Sequence, residues 1–233
     1  VLNRSSPVHV VALTTWTASV KASYHVLATK ADGTLWSWGE SSTGSIGLGD
    51  DNSRSSPVQV GTLTTWTNVT GGRHNGFAIK SDGTLWAWGI GNYGTLGLGD
   101  GITRSSPVQV GTLTTWTAVS ERRLHAVALK SDGTLWTWGY NTTNGALGLG
   151  DTANRSSPVQ VGTLTTWTAI SAGTYTCFAT KADGTLWAWG RNNNGQLGQG
   201  DTANRISPVQ VGALAAWTVV EGGAKHAIAL RRG

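Results

Sequence analysis

Three histidines occupy equivalent places along the chain, His25, His125 and His226. Clustered imidazoles could hold a metal ion or move protons near neutral pH. The same column carries Asn75 and Thr176 in the other copies. Equivalent positions on separate repeat units need not converge, so the expected role is a hydrogen bond to a nearby loop backbone. A Gly-x-Gly-Asp segment runs ahead of an arginine, as in Gly49-Asp50 to Arg54 and Gly200-Asp201 to Arg205. It lacks the carboxylate density of a calcium site, and an Asp–Arg loop clasp is expected instead. Cys177 falls in a column of small residues and reads as a buried filler, with nothing nearby to activate a thiolate. Glu40, Glu121 and Glu221 stand on separate units, and nothing in the sequence pairs them for acid–base work. There is no Gly-x-Ser-x-Gly elbow and no phosphate-cradling loop with a lysine. The residues point to no enzyme, no metal and no cofactor.

The elements that would position these side chains follow from repetition. Arg-Ser-Ser-Pro-Val begins at Arg4, Arg54, Arg104 and Arg155, and returns as Arg-Ile-Ser-Pro-Val at Arg205. Trp16, Trp66, Trp116, Trp167 and Trp217 keep the same step. Asp-Gly-Thr-Leu-Trp-x-Trp-Gly occurs four times, from Asp32, Asp82, Asp132 and Asp183. Together these strings account for all 13 Trp, so the aromatic content belongs to the repeat and not to a binding site. The third unit is one residue longer, in the loop from Asn141 to Gly145, where insertion is tolerated.

Each unit predicts four short strands. In the first they are Trp16–Val20, His25–Lys30, Thr34–Gly39 and Pro57–Val60. Asp32-Gly33 is a strong two-residue hairpin turn between the second and third. Trp36 and Trp38 share one face of the third strand, and the proline suits the start of an edge strand. The second strand carries Ala28, Ala78, Ala128, Ala179 and Ala229 in one column, and Val26, Gly76, Ala126, Cys177 and Ala227 in the next. A small face on one sheet is expected to receive the indoles of the next.

Four-stranded sheets at this period are the signature of an all-β propeller. The segment from Trp189 to Asp201 and the pattern from Glu221 to Leu230 closely resemble the regulator-of-chromosome-condensation repeat, over essentially the whole chain. The sialidase-type aspartate box is superficially similar at Ser81-Asp82-Gly83-Thr84, but its spacing is not met. The resemblance implies a ring of blades, usually seven. This chain supports about five, as one domain over residues 1–233 with units starting near 4, 54, 104, 155 and 205. The last blade would combine Trp217–Glu221 and His226–Leu230 with Pro7–Val10 from the other end, and its third strand is missing. A three-stranded closing blade, a strand donated by a neighbouring chain, and a segment of a longer array are the three readings left open.

Loops after strands two and four repeat almost unchanged. Loops after strands one and three vary from copy to copy, and loops on a rigid scaffold are where recognition usually lives. The candidate partner-binding residues on that variable face are Tyr24, Arg73, His74, Tyr93, Arg122, Arg123, Tyr140, Tyr175, Arg191 and Lys225. Tyr and Arg are the types enriched at binding hot spots. Net charge is +5, and the repeated Lys, Arg and Asp nearly cancel. Most of the excess sits with the variable face. An acidic protein or a surface glycan fits such a face. Dense phosphate contact usually needs more Lys and Arg, which argues against nucleic acid.

Charged residues make up only 12% of the chain, against about 25% in ordinary domains. One Cys excludes a disulfide framework. No apolar run reaches the ~18 residues of a membrane span, so no membrane insertion is expected. The first 15 residues show no leader-like apolar block, and the absence of a starting Met suggests processing or excision from something longer. Four Asn-x-Ser/Thr sequons, at Asn3, Asn68, Asn141 and Asn154, are expected from the Ser/Thr-rich composition. The Thr/Ser/Asn/Gly-rich loops and low Lys content resemble bacterial or phage extracellular propellers of this family. They imply a non-catalytic interaction or structural module on a cell surface, appendage or virion, with self-assembly through the incomplete blade as a further option. The alternatives are a soluble inhibitor of a secreted hydrolase and a chromatin or nucleotide-exchange module. A basic tail and a seventh blade, expected for the last, are missing.

Overall fold

The computed structural model describes residues 15–232, without the side chains of residues 18–21. Four antiparallel four-stranded sheets follow one another, and a two-stranded sheet ends the series. Blade one holds β1 (Trp16–Lys21), β2 (His25–Lys30), β3 (Leu35–Gly39) and β4 (Arg54–Gln59). Blade two holds β5 (Trp66–Gly71), β6 (Asn75–Lys80), β7 (Leu85–Gly89) and β8 (Arg104–Gln109). Blade three holds β9 (Trp116–Arg122), β10 (His125–Lys130), β11 (Leu135–Gly139) and β12 (Arg155–Gln160). Blade four holds β13 (Trp167–Ala172), β14 (Thr176–Lys181), β15 (Leu186–Gly190) and β16 (Arg205–Gln210). The terminal blade contains β17 (Trp217–Gly222) and β18 (Ala227–Arg231).

The first strands of successive blades touch one another, β1 to β5, β5 to β9, β9 to β13 and β13 to β17. They are therefore the inner strands, and β4, β8, β12 and β16 form the outer edge. The expected pairing of Pro7–Val10 with the terminal blade lies outside the described residues. The fourth strand begins at the arginine, not at the proline: Gly39 pairs with Arg54 across a bulge. Pro57 is thus inside β4. An outer edge strand tolerates it because one side of the strand has no ladder to donate to.

Hairpin geometry is set by a knot around the Asp-Gly-Thr turn. Asp132 Oδ1 accepts from the Thr134 backbone N–H at 3.0 Å and from its hydroxyl at 2.6 Å. The Trp136 indole N–H then donates to Thr134 Oγ1 at 2.8 Å. The three other copies repeat this chain of bonds. Gly133 has φ +74°, and a Cβ there would stand 2.2 Å from the Thr165 carbonyl oxygen. Gly133→Ala is therefore expected to cost at least ~1 kcal/mol of stability in chemical denaturation, since it combines backbone strain with a clash. An unchanged midpoint would contradict this account of the turn.

The indole packing differs from the expectation. Small residues and indoles share one face of the same sheet: Gly76 pairs with Trp88, Ala126 with Trp138 and Cys177 with Trp189. Directly opposed residues project to one side of a sheet, so the small column is the floor on which its own blade's indole lies. The preceding blade covers the ring with Leu27 and Leu35 over Trp66, Val69 and Trp88, and with Phe77 and Leu85 over Trp116, Val119 and Trp138. The Trp88, Trp138 and Trp189 indole N–H groups each donate at 3.0 Å to a carbonyl of the preceding blade's loop, at Ser45, Thr95 and Ala146.

Those loops also latch onto the next blade's outer strand. Gly49, Gly99 and Gly150 donate backbone N–H groups to the carbonyls of Ser105, Ser156 and Ile206. The expected Asp–Arg clasps shape each loop, at 2.7 Å for Asp50–Arg54 and 2.6 Å for Asp201–Arg205. The arginine and backbone N–H bonds to these aspartates hold their carboxyls below the usual range.

Candidate functional site

The variable loops emerge between inner and outer strands and meet in three aromatic clusters, each bridging two blades. Between blades one and two, the Tyr24 and His74 rings lie 5.4 Å apart. Arg73 stacks on Tyr24 at 5.6 Å and donates to its hydroxyl at 3.3 Å. Partial burial and the Arg73 charge lower the His74 pKa, and Glu40 opposes them. Between blades two and three, Tyr93 and Tyr140 meet edge to face at 5.0 Å. Tyr93 sits in a single 3-10 turn with φ +62° and is exposed. Between blades three and four, Tyr175 is flanked by Arg123 at 4.7 Å and Arg191 at 5.8 Å. Arg123 also has positive φ, +70°, and the buried Arg191 Nε–H has no hydrogen-bond partner among the described residues.

Arg–Tyr stacking and positive φ are local constraints. They hold the guanidinium groups in place before any partner arrives, and so reduce the ordering cost of binding. Eight of the ten candidate residues belong to these clusters. The other two lie elsewhere. Arg122 reaches inward from blade three and donates to the Gly222 carbonyl of the terminal blade at 3.1 Å. Lys225 is exposed on the terminal blade.

The histidine column does not converge. Among the described residues no three His, Cys, Asp or Glu side chains come together as a metal-binding group. His125 Nε2 lies 3.3 Å from the Thr176 carbonyl of the next blade, and the Asn75 amide donates to the Ile90 carbonyl. Both nitrogens of the buried His25 lack hydrogen-bond partners among the described residues. Burial lowers the pKa of His25 and of His125 to about 4. Cys177 is a buried free thiol, and burial pushes its pKa up. Asn141 is buried too, its amide bonded to the Asp151 and Ala153 carbonyls.

Two glutamates expected to stand apart share one place. Glu121 and Glu221 line a cavity of about 420 Å³ on the axis, with Arg122, Ser120, Gly72 and Ala22. Glu121 is buried, and neither carboxylate oxygen has a hydrogen-bond partner among the described residues. Desolvation raises its pKa to about 8, with Arg122 opposing. The equivalents of Glu121 are Gly71, Ala172 and Gly222 on the neighbouring blades. Blade one has Lys21 there, and an acid in a column otherwise small or basic is the signal that could have drawn attention to it.

Comparison with known proteins fits this architecture. The regulator of chromosome condensation (RCC1) repeat model matches residues 32–79, 82–129, 132–180 and 183–230, and a second model of the same repeat matches 167–196. No curated protein matches the chain. Among solved structures, human WBSCR16 is similar at 23% identity and TM-score 0.84, covering 94% of this chain and 58% of its own. Prp20p from Saccharomyces cerevisiae is similar at 17% and 0.82, over 94% of this chain and 56% of its own. Yeast RCC1 (Prp20), in a structure with Kap60, is similar at 19% and 0.78, over 89% and 52%. The chain spans a little over half the length of these proteins, and at such identities the likeness concerns the fold. With four repeat matches along most of its length and the blade geometry they describe, the chain belongs to the RCC1 repeat family of β-propellers.

Proposed function

We propose that this propeller is a non-catalytic protein-interaction module that binds an acidic partner through the three aromatic clusters of its variable face, two of which carry arginine. The observation that carries this reading is the pair of stacks Arg73–Tyr24–His74 and Arg123–Tyr175–Arg191. They concentrate non-repeated positive charge beside the exposed Tyr24 ring and the half-buried Tyr175 ring, the combination enriched at interface hot spots. The opposite face repeats the same two loops in each blade, and in its Asp-Gly-Thr turn the Asp Oδ1, the Thr hydroxyl and the indole N–H are bonded to one another. Prp20p binds Gsp1p and histones, and yeast RCC1 occurs bound to Kap60. Protein partners for this fold support the same class of partner here. An anionic surface glycan is the alternative ligand that the same charges would accept.

We place the module outside the cell, on a cell surface, an appendage or a virion. The support is compositional: few Lys, and loops rich in Thr, Ser, Asn and Gly. The hydrolase-inhibitor reading is not favoured, because the axial cavity is lined by small and charged residues and not by an aromatic cluster.

The triple variant Arg73→Glu, Arg123→Glu, Arg191→Glu is expected to weaken binding of a partner, once one is isolated, by at least ~100-fold, while Ser81→Glu and Ser131→Glu at exposed positions of the other face change it less than ~3-fold. Surface plasmon resonance at two salt concentrations measures both, and wild-type binding should weaken as salt rises. Loss of binding in the Ser81→Glu and Ser131→Glu variants with the triple variant intact would overturn the assignment.

A further inference from the structure

Two arginines in the complete blades differ from all the others. Arg54, Arg104, Arg155 and Arg205 are each clasped by an aspartate. Arg73 donates to the Tyr24 hydroxyl, and Arg122 to the Gly222 carbonyl. Arg123 and Arg191 lie over the Tyr175 ring, at 4.7 and 5.8 Å, and among the described residues neither guanidinium donates a hydrogen bond or joins an ion pair. Both are half-buried. The Arg191 Nε–H is shielded from water with no acceptor among the described residues.

A guanidinium carries a permanent charge and five N–H donors in a fixed plane. Shielding a donor without an acceptor costs free energy, and two cations held over one ring repel each other unless an anion lies with them. The backbone holds them there nonetheless. Arg123 takes a positive-φ turn position, +70°, which is unfavourable for an ordinary side chain. Arg191 follows Gly190, where a Cβ would stand 2.3 Å from the Tyr175 carbonyl oxygen, and its own backbone N–H donates to that carbonyl at 2.9 Å. Ring and guanidinium groups thus share one frame across blades three and four. The repeat does not supply the pair. The equivalents of Arg191 are Glu40, Ile90 and Tyr140, and those of Arg123 are Ser23, Arg73, Thr174 and Ala224.

We propose that Arg123 and Arg191 form a receptor for one tetrahedral oxyanion, a phosphate monoester carried by the partner protein, seated between the two guanidinium groups beside Tyr175. This rests on the variable face being the partner surface, and it names the group that face recognises. A carboxylate presents two oxygens in one plane, which a single guanidinium fork satisfies. A phosphate monoester presents three oxygens on different sides and about two negative charges, so it meets two forks and neutralises two cations. A protein carries the group better than a glycan does, because a sugar would stack on the Tyr175 face that the guanidinium groups already cover.

The test uses the chain of residues 1–233 and N-acetylphosphoserine amide as the probe. Calorimetry reads the affinity, and heteronuclear NMR reads the Arg191 Nε–H, whose shielding from water keeps its signal visible. Saturable binding with a shift of that signal is expected. N-acetylglutamate amide and glucose 6-phosphate should each bind at least ~10-fold more weakly, as should phosphoserine to Arg123→Gln and to Arg191→Gln, the loss of a charge-assisted bond. Arg232→Gln removes the same charge from an exposed position elsewhere and should change binding less than ~2-fold. No saturable binding, equal binding of the glutamate probe, tighter binding of the sugar phosphate, or an equal loss in Arg232→Gln would overturn the proposal. The ligand comparison uses unaltered protein and decides the matter even if an arginine variant fails to fold. It also needs no partner: failure of the phosphate probe would strike the receptor alone, whereas the partner surface stands or falls on partner binding by the Arg73, Arg123 and Arg191 triple variant.

Discussion

Replacing Trp138 with alanine is expected to lower the free energy of unfolding by roughly 3–5 kcal/mol, the range for emptying a core aromatic site. Trp138 is fully buried. Its ring lies on Ala126, meets Phe77 of the preceding blade at 5.9 Å and Trp116 at 6.2 Å, and bonds the Thr95 carbonyl. Removing it opens a cavity between two blades and strips a buried acceptor of its donor, two costs that add. Its floor at Ala126 and its side at Gly97 are small residues and backbone that cannot move in to fill the space. Trp136, two residues earlier on the same strand, is only partly buried and is covered by Lys130 at 3.4 Å. Trp136→Ala should cost less than half as much. Urea denaturation of both variants tests the pair, and equal losses would contradict the inter-blade role assigned to the second indole.

Glu121→Gln is expected to make the protein more stable at pH 8, by about 2–4 kcal/mol. The wild-type carboxyl is buried beside Gly72 with no hydrogen-bond partner among the described residues. Its pKa rises from 4.5 to about 8. The unfolded chain releases this proton near pH 4.5 while the folded protein keeps it, so stability falls as pH rises from about 4.5 to about 8 and then levels. His25 and His125 act in the opposite sense. Their pKa values fall from 6.5 to about 4, so the folded protein resists protonation. Their contribution is lost as pH falls from about 6.5 toward 4. Two histidines outweigh one glutamate below pH 6.5, and the wild-type optimum should stand near that value. In the Gln variant the decline above it disappears and a plateau takes its place. Denaturation midpoints from pH 5 to 9 measure both curves. A flat wild-type curve between pH 6.5 and 8, or a Gln variant weaker at pH 8, would contradict the burial of an ionisable carboxyl on the axis.

Most of the fold could be read because five copies constrain one another. The four-strand unit, the Asp-Gly hairpin and the Asp–Arg clasp all follow from local spacing and turn chemistry. The indole packing was harder. Periodicity places Trp88 and Gly76 on faces of their own strands, but only the register of β6 against β7 shows that the two faces are one. The start of β4 was missed for a related reason. A proline marks a strand edge, whereas here the edge is lateral and the strand runs through it. In the candidate site, the variable loops were visible as departures from the repeat. Their clustering was not, since it depends on adjacent blades bringing Tyr24 to His74 and Arg123 to Tyr175. Arg122 and Glu121 are neighbours at the end of β9 and both line the axial cavity, which alternation does not foretell, since successive strand residues point to opposite faces.

The central claim is that recognition uses the variable face. Site-specific photo-crosslinking tests it most directly. A benzophenone amino acid is placed at Tyr93 or Tyr175 on that face, and in parallel at Thr64 or Ala182 on the Asp-Gly face. The account predicts a discrete covalent adduct of partner mass from the first pair and none from the second. Adducts from Thr64 or Ala182 alone, with none from Tyr93 or Tyr175, would contradict it.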